Sequence, residues 1–223
     1  MNALERLLEQ NVLPGMSAAA LQNSNDFRRE NCYVPAVDAE LRAQEINLRA
    51  IFAAYTSKSS TPNTSSQIPR LMDYAQFLEF LSTIRFFSND LSVREATLIF
   101  VWSRMRVIPQ EDDMSEIRNS QMTFFDFLEA MVRVSMCKSL PLEERFEDLP
   151  SVDVHAFMVN VQVRSFLFLT TARGDWDKFV ATHSVKPGIP PLQPVQRCLK
   201  LMMSLIVSTI RTVTSSPGAP GEA

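Results

Sequence analysis

The chain has 223 residues, 46% of them hydrophobic and 21% charged, and its 22 Lys/Arg against 25 Asp/Glu leave a net charge of −3. That balance suits a globular chain with a sizeable core and excludes the dense basic stripe of a nucleic-acid binder. Five Gly against 13 Pro argue against an architecture of tight β-hairpins, and three widely spaced cysteines (Cys32, Cys137, Cys198) are no disulfide framework and fit a reducing compartment.

Residues 2–13 read as a short helix with Leu4, Leu7 and Leu8 on one face, ended by Pro14-Gly15. The charged start MNALERLLEQ is not the pattern of a signal peptide. A weaker helical stretch follows Ser17, and residues 23–36 read as irregular. Asp38 is a plausible cap for a helix carrying Leu41, Leu48, Ile51, Phe52 and Tyr55 at helical spacing. The Ser/Thr/Pro/Asn-rich run SKSSTPNTSSQIP stops it. Asp73 caps the next helix, striped by Tyr74, Phe77, Leu78, Leu81 and Ile84, and Ser88-Asn89-Asp90 breaks it. Ser92 and Glu95 form an S-x-x-E capping box that starts a third helix with Leu98, Ile99, Trp102 and Met105 on one face. An acidic loop holding Glu111, Asp112, Asp113 and Glu116 follows. Thr123 then caps a helix that should turn Phe124, Phe127, Leu128, Met131 and Val134 inward.

Beyond Pro141 the pattern is ambiguous. Val159, Val161 and Val163 alternate as in a strand, while Val154, Phe157, Met158, Val161 and Phe168 fit a helix; the helical character of the rest favours helix over residues 154–169. A short helix near Trp176 and Phe179 and a Pro-rich bend lead to a last helix over 194–213, with Val195, Cys198, Met202, Leu205, Ile206 and Ile210 apolar. The uncharged apolar run between Lys200 and Arg211 is 10 residues, half of a membrane span, so no span is expected. Residues 150–223 hold 7 Lys/Arg and 4 Asp/Glu, a local excess of +3. The tail 214–223 should be mobile.

The sharpest feature is an internal repeat. LMDYAQFLEFL (71–81) and QMTFFDFLEAM (121–131) align at an offset of 50, pairing Met72 with Met122, Phe77 with Phe127, Leu78 with Leu128 and Glu79 with Glu129. Ile51-Phe52 and Ile99-Phe100 match upstream at an offset of 48. Each unit is a helix, a loop, a short extended apolar residue and a helix.

That order resembles the EF-hand family. The resemblance covers about residues 40–137 and implies that Met72 and Met122 pair between the loops, with Phe77 and Phe127 as the exiting-helix aromatics. Gln76 and Asp126 then fall where the family places its bidentate Glu. Counting back from them, the first, third and fifth ligand positions are Ser65, Gln67 and Pro69 in one loop and Ser115, Ile117 and Asn119 in the other. Arg70 and Ser120 replace the glycine. Asp73 and Asp126 are the lone carboxylates at ligand positions, too few for a divalent ion. FFDFLEAMVRVS is also similar to degenerate EF-hand proteins of the cytoskeleton, notably of cilia and flagella, where such modules dock on axonemal microtubules.

The expected fold is therefore mainly α: paired EF-hand-like helix–loop–helix units plus additional C-terminal helices. Residues 1–37 form an N-terminal helix and arm, 38–137 the degenerate pair, 138–213 a C-terminal helical region and 214–223 the tail. The resemblance implies a non-enzymatic cytoskeletal scaffold that uses no metal or cofactor, with tubulin or other axonemal proteins as partners. A calcium-responsive regulator with atypical sites is the alternative. No zinc spacing, P-loop, G-x-G-x-x-G or G-x-S-x-G occurs, and His155 and His183 are the only histidines. A Cys137–His155 thiol–imidazole pair has no motif around either residue. Trp176, Phe86 and Phe87 are the interface candidates, each of which could instead close a core. Trp102 is expected in the core.

Overall fold

The structure, a computed structural model, describes residues 2–16, 23–56, 70–105, 120–140, 181–187 and 189–215. The fold is mainly helical, as expected, and the β-pairing among the described residues is limited to isolated bridges. Helix α1 (Ala3–Leu7) widens into a π-turn at Leu8–Val12 and closes with a 3-10 turn at Leu13–Gly15. Helix α2 (Ser24–Phe27) runs into a second π-turn, Arg28–Cys32. There follow α3 (Pro35–Ala43), α4 (Glu45–Thr56), α5 (Tyr74–Thr83), α6 (Val93–Ser103), α7 (Phe124–Cys137) and α8 (Val195–Ser215).

Helix starts follow local chemistry. Asp73, Ser92 and Thr123 each accept the backbone N–H three residues on, and the side chains of Gln76, Glu95 and Asp126 return the favour to the cap's own N–H. Asn2 and Glu5 do the same at α1. Each such box satisfies two otherwise orphaned donors and stabilises its helix by about 1 kcal/mol. At the end of α5, Arg85 takes the left-handed conformation (φ 57°) so that Phe86 N–H can bond the Leu81 carbonyl at 2.9 Å and close the helix.

The two aligned methionines meet. Met72 N–H donates to the Met122 carbonyl at 2.9 Å and Met122 N–H to the Met72 carbonyl at 2.8 Å, an antiparallel bridge between the residues that precede α5 and α7. Both side chains are fully buried. Below the bridge an aromatic core joins the two helix pairs: Phe52 lies 5.5 Å from Phe127, Phe80 5.7 Å from Phe127, and Phe77 5.8 Å from Phe100 between ring centroids. Offset and edge contacts of this kind add to the area term of burying such rings.

Helix α8 lies against α7 and α3. Its Cys198, Leu199, Met202, Met203, Leu205 and Ile206 are buried, so α7 is enclosed by α6 on one side and α8 on another. This explains why α7 is buried almost all round from Ala130 to Ser135 and not along one stripe.

The structure corrects several expectations. Residues 23–36 are helical over much of their length, because buried Phe27 and an Arg28–Glu129 ion pair hold the segment on α7. The helix expected to start at Asp38 begins at Pro35, where the ring's fixed φ suits the first turn; Asp38 instead pairs with Arg42 at 2.7 Å, and Gln44 breaks the run into α3 and α4. In α6 the buried stripe is Glu95, Ala96, Ile99, Phe100 and Ser103, rotated from the expected one; Met105 is exposed and Trp102 half-buried. Leu4 and Leu7 of α1 and Leu8 of its π-turn do share a helical segment, yet all three are exposed. The last helix runs on to Ser215, two residues into the expected tail. Expectations for residues 17–20, the acidic loop, residues 154–169, the short helix near Trp176 and Phe179 and the rest of the tail lie outside the described residues.

Candidate functional site

On the EF-hand resemblance a calcium ligand set would end at Gln76 and Asp126, and both side chains are already engaged. Gln76 Oε1 accepts Asp73 N–H at 2.9 Å. Asp126 Oδ2 accepts Thr123 N–H and the Thr123 hydroxyl, each at 2.9 Å, while Oδ1 accepts Met105 N–H at 3.0 Å from the end of α6. Asp126 is 2% exposed, so its carboxylate serves as a buried acceptor that ties α6 to α7. Asp73, the other candidate carboxylate, accepts Gln76 N–H as an N-cap. Residues 65, 67, 69, 115, 117 and 119 lie outside the described residues, as does the cluster Glu111-Asp112-Asp113-Glu116. Among the described residues no group of three His, Cys, Asp or Glu could hold a metal ion.

Two buried ionic knots fix the shape around this centre. In one, Lys138 Nζ donates to Asp90 Oδ1 at 2.9 Å and to the Phe86 carbonyl at 3.1 Å, while Ser139 N–H donates to Asp90 Oδ2 at 2.9 Å. The Ser88 hydroxyl bonds Asp90 as well. Asp90 sits in the turn that joins the two helix pairs and Lys138 just past α7, so the knot fastens one pair to the other. Burial pushes the Lys138 ammonium below its ordinary pKa, and Asp90 opposes that shift. A pair this deep is costly to break from one side, since the survivor is left charged and dry.

In the second knot, Glu129 accepts Arg28 Nε at 2.6 Å and Arg133 Nη2 at 2.8 Å, and the Arg133 guanidinium lies 3.7 Å from the Phe27 ring centre. Burial lowers the Arg133 pKa against the pull of Glu129. This knot clamps the N-terminal arm onto α7. Cys32 lies beside it. Burial pushes the Cys32 thiol up to about 12, with the Glu129 charge adding to the rise and the arginines opposing it. Cys137 is pushed up to about 12 and Cys198 to about 11, again chiefly by burial. All three thiols are buried and free, the reverse of an activated nucleophile.

The proposed interface residues divide. Phe86, an interface candidate that could instead close a core, takes the core place: it is fully buried, with Lys138 over its ring at 5.1 Å, as the Lys138–Asp90 knot draws the 86–91 turn inward. Phe87 is half-buried against the core. Trp176 and His155 lie outside the described residues, and His183 is buried. Sequence reasoning missed both knots. Glu129 and Arg133 stand at i,i+4 spacing, a readable signal. Arg28 joins them from 101 residues away and Lys138 reaches Asp90 across 48, separations that leave no local trace.

A cavity of about 320 Å³ opens beside the second knot, between Cys32, Leu41 and Arg49 on one side and Phe124 and Leu128 of α7 on the other. Arg49 stacks over Phe124 at 4.4 Å and pairs with Glu45 at 2.7 Å, so its charge is spent on its own helix. No family model, curated protein or solved structure matches the chain. No helix of the described residues is long and apolar enough to cross a membrane.

Proposed function

We propose that the protein is a non-enzymatic structural scaffold built on a degenerate EF-hand-like pair that does not use calcium. The observation that carries this reading is the double use of Asp126: the one carboxylate at the end of a loop is buried and bonded by Thr123 and Met105. Such a side chain would have to leave three donors before it could take an ion. The Met72–Met122 bridge stands where the family pairs its loops, which supports the resemblance. The buried Lys138–Asp90 and Arg28–Glu129–Arg133 knots, with α8 seated on α7, favour one fixed arrangement of helices over a switch.

As partner we propose a microtubule-based structure, axonemal tubulin or an associated protein, on the resemblance of FFDFLEAMVRVS to the EF-hand-like proteins of cilia and flagella. This places the chain in the cytoskeleton, with the cilium or flagellum as its home. Co-sedimentation of the purified chain with stabilised microtubules tests the reading. Saturable pelleting is the expected result; a chain that stays in the supernatant and leaves the cytoskeletal fraction of cells empty contradicts it.

A further inference from the structure

Only Gln44 separates α3 from α4, and the hydrogen-bond ladder passes through it: Gln44 N–H donates to the Glu40 carbonyl at 3.1 Å and Leu48 N–H to the Gln44 carbonyl at 2.9 Å. Val37 and Leu48 turn inward and are buried, and α7 and α8 pack on this inner side. The outer side carries two rows. Asp38, Arg42, Glu45 and Arg49 fall within about 60° of one another at about 100° per residue, and Ala39, Ala43, Ile46 and Ala50 form a second row about 100° further round. All four residues of the second row are exposed. Ile46, at 85%, is the most exposed large hydrophobic side chain among the described residues. A side chain so placed gains nothing from its own core and would gain from a cover that excludes water. The alanines beside it hold nothing beyond Cβ to keep such a cover away.

The charged row is its own complement. From the N-terminal end its signs run negative, positive, negative, positive, at spacings of 4, 3 and 4 residues. Reversed, the row keeps its spacings and every sign changes. A second copy laid antiparallel therefore sets Asp38 against Arg49 and Arg42 against Glu45, and a two-fold axis repeats both contacts. The same axis lays Ile46 over Ala43 and Ala39 against Ala50, in a register one residue, about 1.5 Å, from that of the charges.

We propose that the outer face of α3 and α4 is the contact of an antiparallel dimer of this chain. Within one copy the charges are already paired, Arg42 Nε with Asp38 and Arg49 Nε with Glu45, each at 2.7 Å, and the two arginine side chains are 76% and 57% exposed. The dimer offers each guanidinium a second carboxylate through its other N–H donors, which joins surface pairs that are weak one by one into a network. A contact that uses the same patch on both copies closes at two. The seam is narrow, so the dimer is weak, depends on concentration and loosens in salt. None of this rests on the partner or calcium reading above.

Sedimentation velocity of the full chain over a concentration series at low salt tests it. The average mass should rise toward that of a dimer and no further. Ile46→Glu should hold the chain at monomer mass with its melting temperature unchanged, since the site supports no core. Arg42→Glu sets acid against acid on both sides of the axis and Glu45→Arg sets base against base, so each alone should raise the dissociation constant about tenfold or more. The chain carrying both substitutions has opposite charges at every contact again and should recover the dimer. An equimolar mixture of the two single variants should recover it too, as a heterodimer. A wild-type chain that remains monomeric throughout overturns the proposal. So does growth past a dimer, association that Ile46→Glu leaves unchanged, or a double variant and a mixture that both stay apart while folded.

Discussion

The α4–α5 and α6–α7 pairs start from nearly the same residues and end in different surroundings. Glu79 and Glu129 occupy matched places in the repeat, yet Glu79 is exposed on α5 while Glu129 is 7% exposed between Arg28 and Arg133. Gln76 and Asp126 close equivalent capping boxes, but only Asp126 also reaches across to Met105. The N-terminal arm and α8 both pack on α7. A repeat therefore specifies local structure twice, whereas its burial is decided by what the remainder of the chain lays over each copy.

Paired substitutions break or sharpen this contrast. Glu129→Ala leaves Arg133 buried without its anion and should destabilise by about 3–5 kcal/mol, while Glu79→Ala should stay within about 0.5 kcal/mol. Urea unfolding of the two variants measures both, and equal losses would erase the asymmetry. Asp90→Ala strands Lys138 in the same way and belongs in the larger class, whereas replacing Asp90 and Lys138 together by apolar residues of similar size should cost far less. Asp126→Ala should lose about 1–3 kcal/mol, because it orphans Met105 N–H as well as the cap, against about 1 kcal/mol for Gln76→Ala. Asp73→Ala and Thr123→Ala should each cost about 1 kcal/mol, since the caps themselves are alike.

A further effect is a pH dependence. Cys32 and Cys137 keep their protons up to about 12 when folded, against an ordinary value of 9.0. The unfolded chain releases those protons first, so it binds fewer than the folded chain as pH rises above 9.0, and stability falls through that window. About 1 kcal/mol per buried thiol should be lost one pH unit above it. Replacing Cys32 by Ala should flatten the fall; an unchanged slope would contradict the assignment. Below that window the thiols contribute nothing to the pH dependence.

What the sequence disclosed is what short spacing encodes. The caps at Asp73, Ser92 and Thr123, the helices they start and the inward Phe77 and Phe127 follow from residues within a turn of one another or from the repeat, and the Met72–Met122 pairing is what the family resemblance implies for the two aligned residues. Residues 23–36 read as irregular because nothing local shows that Phe27 and Arg28 have a seat on α7. The stripe of α6 differs for a related reason: Met105 stands at helical spacing from Trp102, but the helix ends at Ser103, and Phe100 packs on Tyr74 and Phe77 of α5 instead. Phe86 is buried through a lysine that joins it from beyond α7, which no pattern in its own neighbourhood announces.

The central claim is that the paired helices hold one shape without a metal ion. Isothermal calorimetry of the full chain against calcium tests it most directly. The account predicts no saturable heat and an unchanged melting temperature in excess calcium. Tight, stoichiometric binding with a raised melting temperature would contradict it, because Asp126 would then have to abandon Thr123 and Met105 for the ion.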